Sequence, residues 1–212
     1  MTSKITLLLL TLMSFSPFLL ANNYPYSTYE VVQLYSQDEL TALIDKNQHL
    51  QRVLKDECQL VEDIEAHALK IKEPSYVFLW GDMLAWGICV EKDAPLGMHY
   101  IEESAKQGLL PAIEQLGRYY ERGILVQQDK DRAVIYFREA ALQGFLNAQL
   151  NYVRMLNEGY GSPYDYEDAY GALFHSIIGN KKKKQKAQQL LAKLASKMPE
   201  YAVKNAKVKT SN

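Results

Sequence analysis

Residues 112–144 read AIEQLGRYYERGILVQQDKDRAVIYFREAALQG, and the fold turns on how this stretch is understood. Two apolar stripes at helical spacing flank a short loop: Ala112, Ile113, Leu116 and Tyr120 before it, Ala133, Tyr136, Phe137, Ala140 and Ala141 after it. Gly123 and Gly144 stand where each helix should end, since glycine takes the left-handed conformation at little cost. Asp129 stands where the second helix should open, its carboxylate placed to accept from unpaired backbone amides. The stretch is expected to be a helical hairpin.

Shifted by 36 positions in either direction, the pattern returns without a gap. Gly87, Gly123 and Gly159 keep that spacing, as do Asp93, Asp129 and Asp165, the expected N-caps. Gly97, Ala133 and Ala169 hold a small residue inside the second helix, where a neighbouring backbone must come close. Tyr100 matches Tyr136, Ala105 matches Ala141, and Gly108 matches Gly144. The third copy is weaker, with Ala172 at the tyrosine position and Asn180 at the terminal glycine. A fixed period of this length, built from helix pairs, indicates an all-α solenoid.

The motif resembles the Sel1-like repeat, a relative of the tetratricopeptide repeat with a slightly longer intrahelical loop. Leu116-Gly117, Tyr120, Gly123, Val126, Asp129, Ala133, Tyr136-Phe137, Ala140-Ala141 and Gly144 carry the resemblance. It implies a right-handed superhelix of hairpins that acts as a scaffold for other proteins. Such a fold does not by itself name a function.

At 212 residues, 48% hydrophobic and 23% charged, the chain is long enough for one domain with a substantial core. Residues 1–21 read as a cleavable signal peptide, with Lys4, an apolar run from Ile5 to Met13, and a small Ala21. An uncleaved anchor is the alternative, but Ser14, Ser16 and Pro17 interrupt the apolar run and leave it short for a span. No other segment approaches membrane length. In an exported chain the two cysteines, Cys58 and Cys89, suggest a disulfide, and the repeat register places both on one edge of the solenoid. Two buried, inert thiols are the alternative.

The net charge of −1 conceals a division. Residues 181–212 hold ten lysines against one glutamate, whereas residues 22–180 carry a net charge of −11. This split suggests association with charged partners or between copies of the chain. The basic part is peripheral, so no nucleic-acid partner is expected.

Residues 22–36 are expected to form an extended arm whose Tyr24, Tyr26 and Tyr29 dock on a partner, or alternatively pack back on the first helices. Ser36 followed by Glu39 is a capping-box pattern, and residues 37–73 read as a degenerate capping hairpin. The three repeats are assigned to residues 74–110, 111–146 and 147–180. Trp80 and Trp86 belong to the first, as core and groove lining. The third has a tyrosine-rich loop, in which Tyr160, Tyr164 and Tyr166 are candidate partner contacts. Residues 181–198 place Ala187, Leu190, Leu191, Leu194, Ala195 and Met198 on one face, as a basic amphipathic capping helix requires. Binding to a membrane surface is the alternative for such a helix. Residues 199–212 are expected to be a disordered basic tail.

No catalytic constellation emerges. His49, His67, His99 and His175 are scattered, with no closely spaced ligand set, and no nucleophile motif or phosphate-cradling loop is present. Glu62, Asp63 and Glu65 read as an exposed helix face. Neither enzymatic activity, a metal nor a cofactor is expected. The N-terminal YPYSTYEVVQLY, the three repeats and the lysine-rich end together resemble the T-ring family of Sel1-like proteins from sodium-driven polar flagellar motors. That resemblance implies a periplasmic place in the flagellar basal body, with a MotY-like ring protein and a PomB-like stator subunit as partners. The alternatives are a periplasmic adaptor serving other envelope processes, and a cell-wall-active enzyme of the cysteine-rich Sel1-like kind, whose dense cysteine pairing is absent here.

Overall fold

The computed structural model describes residues 34–208. The expected signal peptide and the arm tyrosines Tyr24, Tyr26 and Tyr29 lie outside the described residues. Three short helices come first: α1 (Gln37–Asp45), α2 (His49–Lys55) and α3 (Val61–Ala66), the last running on into a π-helical turn over His67–Ile71. Then follow α4 (Pro74–Trp86), α5 (Ala94–Lys106), α6 (Leu110–Arg122), α7 (Lys130–Leu142) and α8 (Leu146–Glu158), each of 13 residues. The chain closes with α9 (Tyr166–Phe174), α10 (Lys181–Ala195) and α11 (Glu200–Val208). Consecutive helices pack on one another from α4 to α9, which makes an all-α solenoid with one continuous core.

The first two hairpin loops repeat each other bond for bond. Gly87 and Gly123 end α4 and α6 at φ 70° and 68°, a region that a Cβ makes costly. The amides of Ile88 and Ile124 return to the carbonyls of Met83 and Tyr119, at 2.9 and 3.0 Å. Asp93 and Asp129 then cap α5 and α7, accepting from the amides of Leu96 and Arg132 at 3.0 and 2.9 Å. The third loop departs from this plan. Asp165 accepts no capping bond; it pairs instead with Arg138 at 3.4 Å, and a single 3₁₀ turn over Pro163–Asp165 leads into α9. Pro163 starts that turn early, α9 is consequently shorter than α5 and α7, and the expected N-cap role of Asp165 is corrected.

Within a hairpin, the small residues set how close the helices come. A Cβ on Gly97 would lie 2.5 Å from both the Ala85 amide nitrogen and the Gly81 carbonyl oxygen. In the next hairpin the equivalent of Gly97 is the fully buried Ala133, and Gly117, 36 residues after Gly81, gives its space to the Phe137 ring. Glycine is used where backbone meets backbone, and where a ring fills the gap.

Two expectations for the ends are corrected. Residues 37–73 do not form one hairpin, because Asn47 turns the chain at φ 56° and Glu57 and Cys58 turn it again at 52° and 61°. Further on, Ile64 and Ala68, at ordinary i, i+4 helical spacing, are buried, whereas Leu69 is exposed. Residues 199–212 are not a disordered tail over their described part: α11 lies against α9, burying Ala202 and Ala206. Pro199 opens this helix, its carbonyl accepting from Ala202 and Val203, and the Ala206 carbonyl meets Nε2 of His175 at 3.2 Å. α10 covers α8 and α9 with the expected face, Ala187 and Leu194 innermost. Two helices therefore close the C-terminal end.

Cys58, in the α2–α3 turn, and Cys89, in the α4–α5 loop, are joined with their Cα atoms 5.6 Å apart, which ties the N-terminal cap to the first repeat. Opening this cross-link by Cys58→Ser or by reduction is expected to lower unfolding free energy by about 3 kcal/mol. Urea denaturation with and without reductant measures this, and equal midpoints would show that packing alone holds the cap. Gly97→Ala is expected to cost about 1–3 kcal/mol through separation of α4 and α5. An unchanged thermal midpoint would mean the pair can part freely.

Candidate functional site

The first helices of the hairpins turn one face toward a groove. The positions that reach it recur with the repeat: Asp82, Arg118 and Arg154 are spaced by 36, as are Gln115 and Asn151. The apolar stripe faces the partner helix of each hairpin, so these polar positions are left on the inner side of α4, α6 and α8. The α1–α2 turn and α10 supply the two ends. The central part of the groove encloses about 490 Å³, between Asp45 to Asn47, Glu114, Arg118 and Arg122 of α6, Asn147 and Asn151 of α8, and Lys183 and Lys186 of α10. Past Asn47 and Arg122 it continues beside Leu50, Trp86 and Ile124.

Its floor is a set of buried polar contacts. His49 Nε2 lies 2.7 Å from Asp82, which also accepts from the Tyr119 hydroxyl at 3.0 Å, and that hydroxyl in turn accepts from Trp86 Nε1 at 3.1 Å. Burial and the Asp82 carboxylate push the Tyr119 phenol up, well out of the physiological range. The hydroxyl therefore stays a donor to Asp82 and an acceptor for Trp86, which lines the groove wall with 42% of the residue exposed. Further along, Glu114 is buried, with Asn151 Nδ2 donating to it at 2.8 Å and the Arg118 guanidinium in ion-pair contact, its Nε 3.2 Å away. Burial raises the Glu114 carboxyl above its ordinary value, against the opposing pull of Arg118 and the Asn151 amide.

One amide joins the first and last parts of the described solenoid. Asn147 Nδ2 donates to Asp45 Oδ1 at 2.7 Å, and Asn147 Oδ1 accepts from Lys183 Nζ at 2.7 Å. The N-terminal cap and the C-terminal helix α10 thus meet on α8.

The aromatic loop between α8 and α9 does not form one patch. Tyr164 is 96% exposed, whereas Tyr160 is half-buried beneath Lys130, whose Nζ donates to its hydroxyl at 3.0 Å. Tyr166 is half-buried against the core. Of the three predicted contacts, only Tyr164 stands open. The groove residues Arg118, Arg122, Asn147 and Asn151 were not among the sequence candidates. Their signal was the i, i+4 spacing of like side chains opposite the apolar stripe. Among the described residues no group of three or more His, Cys, Asp or Glu side chains is placed to hold a metal ion. Among them, too, no helix is long and apolar enough to cross a membrane.

Stacked hairpins with a polar inner groove define a repeat scaffold, and the Sel1 repeat pattern matches residues 75–109 and 110–145. Two solved structures share the fold. One is a Sel1 repeat protein from Oxalobacter formigenes (TM-score 0.52, 24% identity, 61% of this chain and 97% of that one). The other is a protective antigen of uropathogenic Escherichia coli displaying an SLR fold (TM-score 0.52, 24% identity, 66% of this chain and 34% of that one). Over 176 residues, 83% of each chain, the sequence is 53% identical to the sodium-type polar flagellar protein MotX of Vibrio parahaemolyticus serotype O3:K6 (strain RIMD 2210633). The chain belongs to the MotX family of Sel1-repeat proteins.

The folded-state pKa of Glu114 is raised, so the stability it contributes is complete below its ordinary 4.5 and is lost as pH rises through the raised value. Glu114→Gln is therefore expected to lose less stability than wild type as pH rises from 4.5 to neutrality. Thermal melts across the range measure it, and parallel profiles for the two proteins would mean that Arg118 and Asn151 offset the burial in full.

Proposed function

We propose that the chain is a non-enzymatic, structural component of a sodium-driven polar flagellar motor: a periplasmic scaffold of the T ring in the basal body that places the stator for torque generation. The observation that carries this reading is the 53% identity, over 83% of each chain, to a protein named for the sodium-type polar flagellum. The physical form agrees with mechanical work. A cross-linked N-terminal cap, five equal helices and two closing helices share one continuous core with a groove on one side. Such a body can hold two partners at once and transmit load between them. The resemblance of the chain to T-ring proteins implies a MotY-like ring protein and a PomB-like stator subunit in those places. The acidic body and the lysine-rich α10 and α11 also favour head-to-tail contact between copies, an arrangement that closes into a ring.

A strain deleted for this chain is expected to build flagellar filaments yet fail to swim, and a plasmid-borne copy is expected to restore motility. Swimming at the wild-type rate in the deletion strain would overturn the motor role.

A further inference from the structure

The groove carries the opposite sign to the body around it. Residues 22–180 hold more acidic than basic side chains, yet the central groove gathers Lys46, Arg118, Arg122, Lys183 and Lys186 against only Asp45 and Glu114. Glu114 is committed to Arg118 and Asn151 at the floor. Arg122 and Lys186 are exposed, with no carboxylate within ion-pair distance among the described residues.

The contacts already present show what the lining recognises. Asn147 and Asn151, one turn apart on α8, each donate through the amide to a carboxylate, Asp45 in one case and Glu114 in the other. Lys183 approaches the same Asn147 from the opposite wall. Asp45 is itself exposed, so its hold on Asn147 is in competition with solvent and with any other carboxylate that enters. An arginine pair one turn apart adds two planar forks, which match carboxylate geometry better than ammonium groups do.

We propose that this groove docks an extended acidic segment of a protein partner. Arg122, Lys183 and Lys186 hold the incoming carboxylates, Arg118 and Asn151 extend the donor row, and Asn147 is released from Asp45 to join it. Asp45 is thus an internal stand-in for the first carboxylate of the ligand. A channel of about 490 Å³ suits a strand of side chains rather than a folded domain. Both terminal caps line it, so the site exists only in the complete solenoid. The inference rests on the reading of the chain as a binding scaffold.

The test uses purified protein and a short fluorescein-labelled peptide of alternating Glu and Ser, with the Gln-Ser peptide as control. The Glu peptide is expected to bind at low salt and to weaken as salt approaches 0.15 M, where the screening length falls to about 8 Å. The Gln peptide is expected not to bind. The double variant Arg122→Glu/Lys186→Glu should lose about tenfold in affinity, whereas Lys193→Glu/Lys204→Glu, an equal charge change outside the groove, should not. Asp45→Asn should bind more tightly than wild type. Equal binding of the two peptides, or equal loss with both double variants, would overturn the proposal. So would failure of the Glu peptide to bind at low salt, groove-dependent binding to phosphatidylglycerol vesicles in its place, or dimerisation that the Arg122→Glu/Lys186→Glu variant abolishes. The peptide and salt comparisons need no variant, so a misfolded variant leaves the result readable. Because the measurement is made in solution, its failure is distinguishable from failure of the motor role, which is read in cells.

Discussion

Close approach of the two helices within a hairpin is the constraint on which the rest of the molecule depends. At Gly81 and Gly97 the backbones of α4 and α5 touch with no room for a Cβ. That contact fixes the angle at which α6 can follow, and so the direction in which the first helices present their inner faces. Where the next hairpin relaxes the contact, Ala133 and the Phe137 ring over Gly117 restore the packing by other means. The core is therefore continuous from α1 to α11 although no single element spans it.

The groove is a consequence of this stacking, not an independent feature. Each hairpin spends its apolar stripe on its neighbour, and the polar positions opposite have nowhere to go but inward. Several become buried: Asp82, Glu114 and Gln115 sit on first helices with little exposure. Buried polar groups must find partners, and the chain from His49 through Asp82 and Tyr119 to Trp86 does so across α2, α4 and α6. The same bonds hold the groove wall rigid, which is what a docking surface needs to avoid an ordering cost when a partner arrives.

The two ends of the solenoid do more than shield its core. The N-terminal cap is held by the Cys58–Cys89 bridge and by Tyr35, whose hydroxyl donates to Asp56 while Arg52 stacks over its ring. From that position the α1–α2 turn leans onto α6 and α8. From the other end α10 brings Lys183 and Lys186, part of the basic tail in sequence, beside an otherwise acidic body. The charge division along the chain is thereby folded into a charge contrast across one groove.

Much of this was legible in the sequence. The period of 36, the glycines at 87 and 123, the aspartates at 93 and 129 and the apolar face of α10 all report local chemistry: helix ends, caps and stripes depend on residues within a few positions of each other. Family membership follows from the same repeated local pattern. What lay beyond the sequence was set by contacts between distant residues. That α11 folds depended on the open face of α9, that Asp165 leaves its cap depended on Arg138, and that Tyr160 closes depended on Lys130. The groove is the extreme case, since Asp45, Asn147 and Lys183 meet only because the hairpins between them curve the chain back on itself. Local propensity determines which elements form; the sum of small packing angles decides which side chains face one another.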